Sequence, residues 1–212
     1  MSPFKLLIDN KDEDFTPPTA DWKIGTSLGI KDETYLKFIP VMNGGYYFSR
    51  ALHIYGLCAE PASHSISYIN ELFNKEYESI IGPHLFFACD LFGNQFSFSD
   101  KGISFWNIET AESEIVAADF KEWIQVLEFE LDYFTAEPLA LEWQDGETLL
   151  GFDQRLTPKE LFVLGGEYGL DNLKAETLDK IIHFNSVIAK QIVDLPDGTP
   201  IDTDSIYVPD DL

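Results

Sequence analysis

The chain has 212 residues, 45% of them hydrophobic, and its 37 acidic against 14 basic side chains give a formal net charge of −23 at pH 7. A field of that sign repels nucleic acid phosphates and anionic membrane surfaces, so a charged partner is expected to be basic. The length suits one domain or two small ones with a substantial core. No run approaches the roughly 18 consecutive apolar residues of a membrane span.

The sequence also bears on the cellular compartment. Its two cysteines, Cys58 and Cys89, are too few for a disulfide framework or a metal cluster, and both lie in apolar runs without an obvious nearby cation. We expect both thiols to be buried and unbridged. Because the first residues contain no basic and apolar leader, a cytoplasmic protein is predicted.

The first 80 residues predict short helices around a pair of strands. Thr19 is expected to be the N-cap of the first helix, and Asp32 that of the second. Pro40 falls inside the apolar pattern of the second helix, which is therefore expected to bend or end early. In chain order, the predicted elements are a helix at 19–28, a helix after Asp32, strands at 46–49 and 52–55, and a helix at 63–80.

Residues 84–109 hold a dense run of aromatic side chains and predict three short antiparallel strands joined by two tight turns. Phe96 and Phe98 alternate with serines, so one face of the middle strand is expected to be apolar and the other wet. Gly102 ends one turn, where the left-handed region must be reached. Asp90 begins the other turn, and its carboxylate is expected to cap it, with a catalytic role as the alternative.

The strongest helix prediction covers residues 119–137, with Asp119 as its N-cap. One side carries a core stripe that includes Phe120, Trp123 and Leu127. Nearly opposite lies a second apolar stripe made of Val126, Phe129 and Tyr133. That stripe needs a cover, which is expected to come from the region beyond Pro138, with another subunit as the alternative.

The remaining residues are predicted to form an α/β extension that packs onto the same body. Residues 162–164 are expected to be a buried strand, with a capping-box helix from Thr157 as the alternative. A helix is predicted at 177–192, with Asn185 as a core amide, and a strand at 201–208. The overall prediction is an α+β fold, with a mostly antiparallel sheet and helices packed on one face. Residues 1–137 form its core, and 138–212 form an extension that is not an independent unit.

Several segments resemble the core signature of the SUKH superfamily. They are FFACDLFGNQFSFS at 86–99, GISFWNIE at 102–109, the acidic helix from Asp119, and the segment 35–45, which is similar to the family's helix closed by Asn-Gly-Gly. The resemblance covers about residues 18–136, and longer members carry an extension similar to GGEYGLDN and LPDGT. The superfamily groups fungal regulators of cell-wall assembly with bacterial immunity proteins that neutralise toxins. The resemblance therefore implies binding of a protein partner, without a catalytic set.

No pattern in the sequence predicts an enzyme, a metal site or a cofactor. The histidines show no paired metal-ligand spacing, and the chain lacks both a nucleophile elbow and a thiol-nucleophile signature. One loop, at 165–172, remains a candidate for binding a small polar molecule, although a turn-rich connection is favoured there. The residues that would converge on the ligand are Gly166, Glu167, Tyr168 and Asn172.

The acidic charge is unevenly distributed along the chain. Residues 61–140 contain 14 acidic and 3 basic side chains, whereas residues 1–60 contain 8 and 6. We expect a negative face that binds a basic protein, such as a toxin domain that itself binds nucleic acid. The alternative is a solvated surface that keeps the protein soluble. The predicted partner-binding residues are Glu109, Glu112, Glu114, Asp119 and Glu122.

Two functions remain open at this stage. The first is an immunity or regulatory module, a monomer or weak dimer, that blocks its partner by steric and electrostatic means. The second is a small-molecule sensor or an enzyme with its site at loop 165–172.

Overall fold

The computed structural model describes residues 2–59, 62–145 and 149–196, together with Thr199, Ile201 and Tyr207. Its strands are β1 Gly45–Tyr47, β2 Leu52–Ile54, β3 Leu85–Cys89, β4 Gln95–Ser99, β5 Gly102–Trp106, β6 Ser113–Ala117, β7 Gln154–Pro158 and β8 Leu173–Thr177. Strands β1 to β6 form an antiparallel sheet in chain order, and β7 pairs with β8 in a separate antiparallel ribbon.

The helices cover both faces of this sheet. They are α1 Lys5–Asp9, α2 Trp22–Ser27, α3 Glu33–Phe38, α4 Ile66–Tyr77, α5 Phe120–Phe129, α6 Leu131–Thr135, α7 Glu137–Asp145 and α8 Leu178–Ile192. The predicted α+β class, with a mostly antiparallel sheet and a C-terminal extension on the same body, is confirmed. None of the helices in the described part of the chain has the length and apolar character that a membrane span requires.

The sheet carries aromatic side chains on each face, which is why helices pack on two sides where one was expected. On one face, Phe73 of α4 packs against Phe86 with ring centroids 4.5 Å apart. On the other, Trp123 of α5 packs against Phe96 at 5.2 Å. Ser97, expected on a wet face, is fully buried beneath the first of these layers. The predicted alternation along β4 is therefore confirmed, but the face that carries the serines is also buried.

Asn70 attaches α4 to the sheet. Its side-chain oxygen accepts a hydrogen bond from the backbone N–H of Phe86 at 2.9 Å, and its amide nitrogen donates to the carbonyl of Phe86 at 2.8 Å. The register between β3 and β4 shifts between Phe86 and Ala88. A side chain that supplies both a donor and an acceptor therefore fixes the helix where the ladder is irregular.

The caps of the early helices partly match the predictions. Asp32 caps α3 by accepting from the N–H groups of Thr34 and Tyr35, and α3 ends before Pro40, as predicted. The cap of α2 is Asp21, which accepts from the N–H of Lys23 at 3.0 Å. The prediction of Thr19 was wrong because Asp21 offers an equally good cap two residues closer to the helix.

The helix expected at 119–137 is interrupted. Helix α5 ends at Phe129, Glu130 leaves the helical region with φ −129° and ψ 38°, and α6 follows. Phe129 is 84% exposed and Tyr133 is 66% exposed. The prediction that the C-terminal region covers this second stripe was therefore wrong, because that region packs against the opposite face of the sheet, on α4.

The C-terminal extension shares the core of the sheet. Leu156 of β7 and Ile181 and Ile182 of α8 are fully buried in the same hydrophobic cluster as the aromatic strands. Helix α8 confirms the prediction at 177–192. Residues 162–164 form a 3-10 turn and not a strand, because Gly165 adopts φ +101° directly after them. Apart from Ile201 and Tyr207, the strand expected at 201–208 lies outside the described residues.

Candidate functional site

Glu109 does not lie on the acidic surface to which it was assigned. The side chain is 6% exposed, and its carboxylate accepts hydrogen bonds from the backbone N–H groups of Phe162 at 3.2 Å and Val163 at 2.8 Å. Burial raises the pKa of Glu109, and these two hydrogen bonds oppose that rise. Glu109 therefore ties the loop after β5 to the C-terminal extension, which corrects its assignment as a partner-binding residue.

Replacing Glu109 by glutamine is expected to lower the free energy of unfolding by about 1–3 kcal/mol, because one of two buried N–H donors loses its acceptor. The matched control is Glu112→Gln, an exposed position three residues away, which is expected to change stability by less than about 0.5 kcal/mol. Urea denaturation of both variants at pH 7 measures the difference. Equal free energies of unfolding for the two variants would mean that Glu109 belongs with the exposed acidic residues.

The other four predicted partner residues are exposed. Asp119 and Glu122 also have a structural role at the start of α5. The Asp119 carboxylate accepts from the N–H of Glu122 at 2.8 Å, and Glu122 accepts from the N–H of Ala118 at 2.7 Å. This reciprocal arrangement resembles a capping box. Glu112 and Glu114 lie just before and within β6, a strand that was not predicted.

Exposed apolar side chains lie close to these acids. Ile115 of β6 is 50% exposed, next to Glu114. Glu114 pairs across the ladder with Phe105, whose ring contacts Phe134 at 5.4 Å. Tyr133 of α6 also contacts Phe134, at 4.9 Å, so Glu114 and Tyr133 lie on the same side of the sheet, whereas Ile115 alternates with Glu114 and faces the other side. We call the region on this side the edge surface and define it by Glu112, Glu114, Phe129 and Tyr133.

Polar groups in the loop at 165–172 form hydrogen bonds within the loop and with the backbone of Glu160. The amide nitrogen of Asn172 donates to the carbonyls of Glu160 at 2.9 Å and Glu167 at 3.0 Å, and its oxygen accepts from the N–H of Glu160. A Cβ at Gly166 would lie 1.9 Å from the carbonyl oxygen of Glu160, so glycine is required there by packing. Glu167 is exposed. The polar atoms of Asn172 therefore hold the loop closed.

Tyr168 of that loop meets Glu109 in a cavity of about 480 Å³, which Asp90 and Asn185 also line. Asn185 is buried, as predicted, and its side-chain oxygen has no hydrogen-bond partner among the described residues. Asp90 caps its turn by accepting from the N–H groups of Phe92 and Asn94, which confirms the capping prediction. The structure thus brings the buried Glu109 and the exposed Tyr168, one residue from each predicted site, into the lining of one cavity.

A second cavity, of about 310 Å³, contains the residue that sequence reasoning missed. Arg155 of β7 lines it and is 1% exposed. Its Nη1 donates to the carbonyl of Gln154 at 2.7 Å, its Nε donates to Cys89 Sγ at 3.4 Å, and its guanidinium carbon lies 4.9 Å from the ring centre of Tyr46. Among the described residues, Arg155 forms no salt bridge.

Uncompensated polar atoms cluster around this arginine. Arg155 Nη2, Tyr46 Oη, His53 Nε2 and His64 Nδ1 are buried and lack a hydrogen bond of normal geometry within the described ranges. Tyr46 stacks on His53 with ring centroids 4.1 Å apart, and His53 lies 5.4 Å from His64. Burial, reinforced by Arg155, lowers the pKa of both histidines. The two imidazoles are therefore neutral at pH 7, and the positive charge rests on Arg155.

The structure also bears on the cysteines and on the possible metal ligands. Cys58 and Cys89 are buried and neither forms a disulfide, as predicted. The expectation of no nearby cation was wrong for Cys89, which contacts Arg155. Burial nevertheless raises the pKa of the Cys89 thiol. Within the residues that the structure describes, no group of three or more His, Cys, Asp or Glu side chains is placed to hold a metal ion.

Comparison with known proteins defines the fold and no more. No family model matches the chain, and no curated protein matches its sequence. The crystal structure of Atu4351 from Agrobacterium tumefaciens is similar, with a TM-score of 0.60 and 16% sequence identity over 87% of each chain. At that identity the likeness concerns the architecture of the two chains.

Proposed function

We propose that this chain is a protein-binding module, and not an enzyme, that binds a basic protein partner through the edge surface. In this proposal it acts as an immunity protein of the SUKH type and blocks a cognate toxin, such as a basic nuclease, by steric and electrostatic means. The observation that carries the proposal is the exposure of Phe129 and Tyr133 beside a row of acidic side chains.

The apolar part of the edge surface favours a protein partner. Phe129 and Tyr133, four residues apart in the chain, are both largely exposed, and exposed aromatic groups near one another are uncommon on monomeric proteins and mark interaction sites. β6 is the last strand of its sheet, so its outer backbone groups have no strand partner among the described residues. Such an edge can accept a strand from another protein.

The charge around the edge surface favours a basic partner. Phe129 and Tyr133 are flanked in sequence by three exposed acids, Glu128, Glu130 and Asp132, and Glu112 and Glu114 of the same surface are also exposed. Attraction between such a surface and a basic protein speeds association and weakens as salt screens the charges. The resemblance of segments 86–99 and 102–109 to the SUKH superfamily points to the same class of function.

The first partner to test is the protein encoded by the gene adjacent to this one. Phe129→Ser with Tyr133→Ser is expected to weaken binding by at least roughly 30-fold, as the loss of about 2 kcal/mol at an interface centre does. Glu112→Gln with Glu114→Gln is expected to slow association at low salt and to have little effect at high salt. Surface plasmon resonance measures both, and co-expression tests protection from toxicity.

The matched control is Glu71→Gln with Glu78→Gln on and just after α4, which removes the same charge from the other side of the sheet. It is expected to bind at a rate close to that of the unmodified chain. Two results would contradict the proposal. One is partner binding that survives the Phe129 and Tyr133 changes. The other is a stable dimer that these changes dissociate, which would assign the edge surface to a second copy of this chain.

A further inference from the structure

We propose that the cavity at Arg155 is a binding site for a small zwitterion of the α-amino-acid type, whose carboxylate contacts Arg155 and whose ammonium group lies near Asp153 and Asp179. This site is separate from the edge surface. The inference is therefore independent of the proposed protein-binding function.

The deep end of the cavity selects an anionic group. A buried guanidinium without a carboxylate partner is costly, because a charge removed from water keeps its desolvation penalty unless another charge offsets it. Arg155 Nη2 has a hydrogen to donate, and the neutral imidazole of His53, which lines the same cavity, offers a second donor. A carboxylate accepts from both, and it would satisfy both unpaired atoms at once.

The mouth of the cavity has the opposite charge. Asp153 and Asp179 line the same cavity as Arg155, and both are exposed. The hydroxyl of Tyr68 donates to the Asp179 carboxylate and so joins α4 to α8 at this position. A dianion such as phosphate would have to pass these carboxylates in the field of a protein with a net charge of −23. A zwitterion avoids that repulsion, because its ammonium group is attracted to the mouth.

Size and lining are consistent with a small amino acid. The cavity of about 310 Å³ has roughly ten times the volume that one water molecule occupies in the liquid. It lies at the lower end of the range for ligand pockets. Between the charged ends, the cavity is lined by the apolar side chains of Ile69, Phe152 and Leu178 and by the small polar side chains of Ser63 and Thr177. These side chains favour an amino acid with an uncharged side chain.

Thermal unfolding in the presence of each of the twenty L-amino acids tests the proposal, because a ligand at free concentration L that binds only the folded state stabilises it by RT ln(1 + L/Kd) and so raises the melting temperature. At least one amino acid is expected to raise the melting temperature of the full chain in a concentration-dependent way. Its amine-free acid, its decarboxylated amine and inorganic phosphate are expected to give smaller shifts or none. Isothermal titration with the active amino acid then gives its dissociation constant.

Arg155→Met provides the decisive variant. Methionine removes the buried charge and retains much of the volume, so the unliganded variant is expected to melt no lower than the unmodified chain and to lose the shift caused by the amino acid. If this variant does not fold, Asp153→Asn at the exposed mouth carries the test. It is expected to weaken binding of the amino acid at least several-fold and to leave the response to the amine-free acid unchanged.

Three results would overturn the proposal. The first is the absence of any shift with all twenty amino acids. The second is an equal shift with phosphate or with the amine-free acid, which would make the site a general anion site. The third is an amino acid shift that persists in Arg155→Met or Asp153→Asn, which would place the binding elsewhere on the chain.

Discussion

A fragment that ends at Glu137 is expected not to fold as an independent unit. The deletion removes Leu156, Ile181 and Ile182, which are fully buried in the common core. Each large apolar side chain contributes about 1.5–3 kcal/mol when buried, so these three alone account for about 5–9 kcal/mol. That is comparable to the whole stability of a typical domain. Circular dichroism of the fragment is expected to show no cooperative melting transition, and size exclusion is expected to show aggregates.

Supplying the missing part in trans is the matching control. Co-expression of residues 138–212 with the fragment is expected to restore a soluble complex, because α8 and β7 pack against surfaces that the fragment retains on α4 and on the inner face of the sheet. A fragment that is soluble, monomeric and cooperatively folded without its complement would contradict this prediction. It would show that the sheet and its other helices suffice.

Local patterns predicted the elements that depend on local chemistry. The aromatic strands β3 to β5 alternate within five residues, and their turns contain Asp90 and Gly102. Gly102 has φ +132°, and a Cβ there would lie 2.4 Å from the carbonyl oxygen of Ala117. Asp32 capped α3 as predicted, because a cap needs only the N–H groups two and three residues ahead. Each of these features is determined by residues that lie within a few positions of one another in the chain.

The missed strands are defined by distant contacts. β7 reads Gln-Arg-Leu-Thr-Pro, a sequence without apolar alternation, yet residues 155–158 are all buried. An arginine in a short polar run indicates a solvated segment, and only packing against β3, where Cys89 lies, makes Arg155 interior. For the same reason, no pattern in the sequence indicated the cavity that Arg155 lines. The unpaired polar atoms near Arg155 belong to Tyr46, His53 and His64, which lie about 100 residues before Arg155 in the chain.

The density of acidic residues identified the acidic region, but it could not distinguish the buried carboxylates from the exposed ones. Glu109 and Glu112 lie three residues apart in the same loop, and only the first meets the backbone N–H groups of Phe162 and Val163. Likewise, helical periodicity identified Phe129 and Tyr133 as an apolar stripe in need of cover. It could not show that the C-terminal extension packs on the opposite side of the sheet. The exposure of this stripe is what makes the edge surface a candidate interface.

Stability is expected to fall as the pH rises from about 4 to about 7, because of Asp90. Burial raises the pKa of this carboxyl to about 7 from an ordinary value of 3.8, although hydrogen bonds from Asn94 and Phe92 oppose the shift. The folded chain then holds the proton in a range where the unfolded chain releases it. Protonation therefore favours the folded state, and the contribution is lost as the pH passes through the folded pKa. A shift of this size corresponds to about 4 kcal/mol in total.

Comparison with Asp90→Asn isolates this effect from the self-repulsion of a chain with a net charge of −23, which acts in the same direction. Asparagine keeps an oxygen for the N–H groups of Phe92 and Asn94, and it has no proton to lose. Urea denaturation at several pH values between 5 and 8 is expected to show a shallower loss of stability in the variant. The difference between the free energies of unfolding of the variant and the unmodified chain should therefore shift in favour of the variant as the pH rises. Parallel curves for the two proteins would mean that Asp90 is ionised throughout this range, and that its hydrogen bonds outweigh its burial.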